Sequence, residues 1–152
     1  MGNSVCEVSL TEAPLLLTAL SAPAETGAIV DFWGVVRKTE DGGRISGITY
    51  EAHRPMAEHQ LRLVAQRADA AFELTLVTIH HRIGFVPAGE ASLLVRIGSR
   101  HRAEAFRASA AVVDELKKSA PIWKHPVFED AAISVTDGSA RREAAAAVSA
   151  RA

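Results

Sequence analysis

A chain of 152 residues, 48% apolar and 23% charged, has the size and composition of one globular domain with a real core. No apolar run approaches the roughly 20 residues a membrane-spanning helix needs, and a net charge of −1 argues against a general nucleic-acid binder. Cys6 is the only cysteine, which excludes an internal disulfide and a zinc site built on several thiolates, and fits a reducing, cytoplasmic location. The opening MGNSVCEVSL has no basic segment followed by an apolar one, so it does not read as a signal peptide. It fits the N-myristoylation pattern loosely, but Cys6 stands where Ser or Thr is wanted, and that reading is set aside.

In chain order, residues 4–10 alternate as a strand. Pro14 predicts the start of a short helix through Leu20, ended by Ser21-Ala22-Pro23. Residues 27–37 predict a strand with Ala28, Val30, Phe32 and Val36 on one face and Arg37 at its C-terminal end. Residues 38–44, with Thr39, Asp41, Gly42 and Gly43, read as a mobile loop beside Arg37. A strand follows over 45–52, then a helix opened by Pro55 with Ala57, Leu61, Val64, Ala68 and Phe72 on its apolar face. Residues 74–83 and 91–98 predict strands joined by a turn containing Gly84, Pro87 and Gly89. Strands and helices mix without strict alternation, which predicts an α+β fold with a largely antiparallel sheet.

The stretch from Ser99 to His125 carries the strongest charge signal. It predicts a helix capped by Ser99, with Phe106, Ala110 and Val113 as the buried stripe and Lys117 on that same inward face. Lys118, turned by about 100°, faces water. Pro121 ends the helix, and Ile122, Trp123 and Lys124 continue as extended chain that can bring Lys124 back toward Lys117. Between Arg96 and His125, seven Lys/Arg stand against three Asp/Glu, leaving −5 for the rest of the chain. His101 and Arg102 lie in the helix's first turn, where free N–H groups already favour an anion. Lys117 has two readings: a lysine that snorkels out near a helix end, or the wall of an anion pocket.

Among the other histidines, no two show the i, i+4 spacing of a helical zinc motif, and His80 and His81 point to opposite faces of a strand, so no metal site is assigned. Tyr50 and Glu51 read as structural. Beyond Phe128 the chain is alanine-rich with little bulk to bury. Residues 1–128 therefore read as one domain, and 129–152 as a tail that is helical or partly disordered.

Five separated motifs also carry a family resemblance: FWGVVR (32–37), YEAHRPMA (50–57), HRIGFVPAGE (81–90), SRHRAEAFRA (99–108) and DELKKSAPIWK (114–124). In order and spacing the chain resembles the MoaE family, the large catalytic subunits of molybdopterin synthase. The resemblance implies an α/β-hammerhead arrangement and a sulfurtransferase without a cofactor of its own. In such an enzyme two sulfurs pass from the C-terminal thiocarboxylate of a small ubiquitin-like subunit to cyclic pyranopterin monophosphate. It implies Lys117 and Lys124 as the catalytic pair, with Arg37, His101, Arg102 and Phe32 binding substrate, and a homodimer at the centre of a heterotetramer. Two neighbouring ammonium groups disfavour each other's charge, and a neutral lysine serves as acid/base or nucleophile. Phe32 has a second reading as plain core.

The chain departs from the family pattern after Lys124. A second basic residue and Glu are usual there; here His125 and Pro126 follow, which leaves that carboxylate's role missing or met by Glu129. The tail also lacks the tryptophan common in the family. Two rival readings are a non-catalytic module that binds the ubiquitin-like carrier, and an anion-binding domain with no protein partner.

Overall fold

The computed structural model describes residues 4–16 and 19–129. Four strands make the larger sheet: β1 (Val5–Thr11), β2 (Ala28–Val35), β5 (Leu76–Arg82) and β7 (Ala91–Ser99), in the order β1-β5-β7-β2. β1 runs parallel to β5, and the other pairs are antiparallel. Helices α1 (Arg54–Phe72) and α2 (Arg102–Ser119) pack side by side on one face of this sheet. The alternation along the central strands explains the layering. Leu93, Val95 and Ile97 of β7, with Val77 and Ile79 of β5, enter the core under the helices, while Ser92, Leu94 and Arg96 point to the other face. There Arg96 forms a two-pronged ion pair with Asp31, its cross-strand neighbour on β2, at 2.7 and 2.8 Å. That bond and the adjacent charge raise the Arg96 pKa above its ordinary value, against the opposing effect of burial.

The smaller sheet is centred on β4 (Gly43–Ala52), flanked by β6 (Gly84–Pro87) and β8 (Ile122–Phe128) and extended by the short β3 (Thr39–Glu40). Its core holds Val36, Ile45, Ile48, Tyr50 and Val86, and Ile122 touches both cores. The Tyr50 ring meets the His81 ring edge-on at 5.2 Å, joining the two sheets behind the strand that carries Lys124. Burial holds the His81 pKa below its ordinary value, against the smaller opposing effect of its bond to the Arg82 carbonyl. The native chain therefore resists a proton that the unfolded chain accepts below about pH 6.5. Stability is present above that value and falls as pH drops through 6.5 toward the lowered native pKa. Thermal melts should show a falling midpoint between pH 7.5 and 5.5, with a smaller fall in His81→Phe; an unchanged fall in that variant would place the effect elsewhere.

The α+β class and the mixed, largely antiparallel sheets are as expected, and α1 buries Ala57, Leu61, Val64 and Ala68 with Phe72 half-buried. Other expectations are corrected. No helix occurs at residues 14–16 or 19–20: Leu16 and Leu20 are exposed, and an amphipathic turn there would have no surface to pack against. Residues 17–18 lie outside the described residues, as does all of the predicted 129–152 tail beyond Glu129. Residues 38–44 form no loose loop. β3 and β4 close a two-residue hairpin through Asp41 (φ 48°) and Gly42 (φ 78°), the left-handed pair that matches strand twist. Part of the predicted 84–89 turn is itself strand β6.

The α2 helix is rotated from its expected phase. Its buried face is Ala105, Ala108, Ser109, Val112, Val113 and Leu116, while Phe106 is 62% exposed and Ala110 and Lys117 face solvent. Small residues let the helix lie close on β7 and α1, and close approach outweighs the bulk of Phe106. Ser99 is no cap either: it ends β7, fully buried, and its hydroxyl donates to the His101 carbonyl. His101 is the N-cap, without a side-chain capping bond.

Candidate functional site

Three segments bring two cations together on one carboxylate. Arg37 follows β2, just past the irregularity at Gly34/Val35 that hands the chain from the larger sheet to the smaller one. The hairpin then folds back so that Glu40 lies beside Arg37, and β8 runs antiparallel to β4 with Lys124 opposite Tyr50. The Glu40 carboxylate joins them: Oε2 stands 3.5 Å from Arg37 Nη2, and Oε1 accepts from Lys124 Nζ at 3.5 Å. A shallow cavity of about 470 Å³ opens here, lined by Arg37, Thr39, Glu40, Asp41 and Gly42.

Lys117 lies in the last turn of α2, where its charge complements the helix C-terminus. The helix stops at Ser119 because Pro121 cannot continue it, and β8 begins at Ile122. Six residues thus separate Lys117 from Lys124 across the bend. Lys117 is exposed, so the cost of a buried ammonium does not arise, and among the described residues it has no ion-pair partner. Lys118 is exposed as well, so burial does not separate the two lysines.

His101 and Arg102 stand exposed at the other end of the same helix. Fifteen residues of α-helix from Arg102 to Lys117 span about 22 Å. One chain therefore does not bring this basic pair and Lys117 onto one small anion. Phe32 packs against the main core from β2 and is not among the residues lining the Arg37 cavity.

The altered residues after Lys124 have clear places. Pro126 opposes Ile48 on β8, which among the described residues pairs with β4 alone and is therefore an edge strand, the place in a sheet where proline is tolerated. His125 pairs with Glu51, and Glu129 with Arg44 at 3.3 Å. Glu129 is thus engaged by the hairpin strand. Glu40 is the site residue that sequence reasoning missed. The signal was present in Asp41-Gly42, a strong short hairpin signal, which turns the acidic residue three after Arg37 back onto it.

A second cavity, of about 540 Å³, lies on the opposite face of the larger sheet, against Glu7, Thr78, His80 and Arg96. Its polar groups are matched in pairs, His80 Nε2 with Glu7 Oε1 at 3.2 Å and the Arg96 guanidinium with Asp31. Among the described residues no group of three or more metal-ligating side chains occurs, and no helix is long and apolar enough to cross a membrane.

Comparison with known proteins agrees with this architecture. A family model described as "MoaE protein" matches residues 10–119. A relative from Oryza sativa subsp. indica named "Molybdopterin synthase catalytic subunit" is 43% identical over 104 residues, covering 68% of this chain and 54% of the rice protein. The chain therefore spans about half the length of that relative. A Thermoplasma volcanium protein of the same name is 36% identical over 131 residues, 86% of this chain and 96% of its own. Among solved structures, molybdopterin synthase from Staphylococcus aureus superposes with a TM-score of 0.73 at 30% identity, covering 80% of this chain and 90% of that one. A matched core from Leu10 through α2, with relatives above 30% identity that cover most of the chain, makes this protein a member of the MoaE family.

Proposed function

We propose that the chain is the large subunit of a molybdopterin synthase. In this reading it moves two sulfurs from the C-terminal thiocarboxylate of a small ubiquitin-like protein, whose tail ends in Gly-Gly, onto cyclic pyranopterin monophosphate, giving the dithiolene of molybdopterin. The observation that carries this reading is the meeting of Arg37 and Lys124 on one carboxylate, in a chain whose relatives bear that name. A site that holds one carboxylate between a guanidinium and an ammonium suits the two anions of the reaction, the donor tail and the substrate phosphate.

The chain's own thiol is poorly suited to carry sulfur. Cys6 lies on β1, and burial followed by the nearby Asp69 carboxylate raises its pKa above the ordinary thiol value, which lowers the thiolate fraction that would react. The sulfur then comes from a partner. Lys117 and Lys124 are the acid/base or nucleophilic pair, and Arg37 fixes the phosphate through paired N–H donors. The distance along α2 gives the homodimer a purpose: His101 and Arg102 of a second copy complete the site that Lys117 opens in the first. The protein works in the cytoplasm, where a lone unpaired thiol persists.

The test is turnover with thiocarboxylated partner and the cyclic pterin. Product containing two sulfurs supports the enzyme. Partner binding without any product would favour the carrier-binding module instead. Lys118→Ala should keep turnover within about threefold, because its side chain is rotated by about 100° from that of Lys117. A loss equal to that of Lys117→Ala would move the active face of the helix.

A further inference from the structure

Glu40 does more than close a hairpin. Its side chain is 16% exposed, whereas the Arg37 and Lys124 side chains it contacts are 78% and 54% exposed. The carboxylate is therefore the fixed partner, held by a strand two residues long and a two-residue turn, and the cations are the ends free to swing. Each carboxylate oxygen faces one cation. That is the arrangement in which a phosphate or a terminal carboxylate would bridge the same two groups.

We propose that Glu40 is a built-in counter-ion that occupies the oxyanion position between Arg37 and Lys124 and yields it to an incoming phosphate or C-terminal carboxylate. The assignment rests on the reading of Arg37 and Lys124 as anion-binding residues. It adds an element of control: every anion that enters must displace an internal carboxylate, so weak monoanions are held off and the two cations are kept apart from unrelated acidic groups. Lys117, unpaired among the described residues, is the charge left to attract the anion first. Glu40 is in this sense a positioning residue; it is not a group that reacts.

The experiment is an NMR titration of the full chain at low salt, first with inorganic phosphate and then with a short peptide ending in Gly-Gly. Wild type, Glu40→Gln and Glu51→Gln are compared. Glu51→Gln removes an equal charge from β4, but Glu51 pairs with His125 and contacts neither Arg37 nor Lys124. Removing the charge 3.5 Å from both cations should tighten binding about tenfold in Glu40→Gln. The gain should fall away above about 0.5 M salt, and resonances of Arg37 and Lys124 should move. Glu51→Gln should stay within about twofold of wild type, since surface charges at longer range are largely screened. A gain confined to phosphate assigns the position to the substrate, and one confined to the peptide assigns it to the donor tail. Equal or weaker binding of both ligands by Glu40→Gln, or an equal gain in Glu51→Gln, would overturn the proposal. Tighter binding by Glu40→Gln in a protein that shows no sulfur transfer would keep the counter-ion and remove the proposed enzyme.

Discussion

Lys117→Ala and Lys124→Ala should each reduce sulfur transfer by three orders of magnitude or more, with the fold intact. Loss of an acid/base group alone is worth about 10²–10⁴ in rate, and a nucleophile more. Both side chains are exposed, so truncation leaves no cavity and no orphaned buried charge, and thermal midpoints should stay within about 2 °C of wild type. The two variants should differ in one respect. Lys124→Ala frees the Glu40 carboxylate to face Arg37 alone, whereas Lys117→Ala leaves the Glu40 contacts untouched. Near-normal product from either variant would remove that lysine from the mechanism.

The second large effect concerns stability and reaches the site through the smaller sheet. Gly47→Ala should lower the thermal midpoint by about 10 °C, corresponding to about 3 kcal/mol. A Cβ at Gly47 would lie 2.3 Å from the Val86 carbonyl oxygen and 2.6 Å from the Phe85 ring. The ring can turn, but the backbone oxygen belongs to β6, so β4 and β6 must part. β4 also carries β8 on its other side, with Lys124 three positions along the ladder from the partner of Gly47. Turnover should therefore fall together with stability. Gly34→Ala is the control: its Cβ would come no closer than 3.2 Å to Leu93 Cβ and 3.5 Å to the Phe32 ring, contacts eased by a shift of a few tenths of an ångström rather than by parting two strands. Equal midpoints for the two variants would show that the β4–β6 contact is not under such constraint.

Much of the fold was legible because long periodic segments constrain it. α1 shows this best: Pro55 sets its start, and five apolar residues at helical spacing set its face, all of which the structure buries or half-buries. The strands at 45–52 and 91–98 were equally plain. α2 was legible as a helix but not in phase. The sequence offers two stripes one residue apart, one marked by Phe106 and one by alanines, and bulk points to the wrong one. What decides is how close the helix must lie to β7, which is a tertiary distance. The hairpin at 39–44 was obscured because polar and glycine-rich residues signal both loose loops and tight turns; Asp41-Gly42 is what separates the two. No helix forms at the described residues 14–16 and 19–20, where Leu16 and Leu20 find no surface to pack against.

The candidate site was legible in its residue types more than in its geometry. Arg37, Lys117 and Lys124 were singled out by charge, by the proline break and by family motifs, and the fold adds Glu40 between two of them. His101 and Arg102 stand out at the helix's first turn because helix-end chemistry reads locally, and the resemblance alone joins them to the lysines' site. Only the length of α2 reveals that its two ends cannot serve one anion within a single chain.

The most direct measurement is a crystal structure of the chain bound to its small partner with the Gly-Gly tail in place. The tail's terminal carboxylate should lie within about 4 Å of both the Lys117 and the Lys124 ammonium, the range of an ion pair. A tail seated elsewhere, with the two ammonium groups opening onto separate surfaces, would contradict the account.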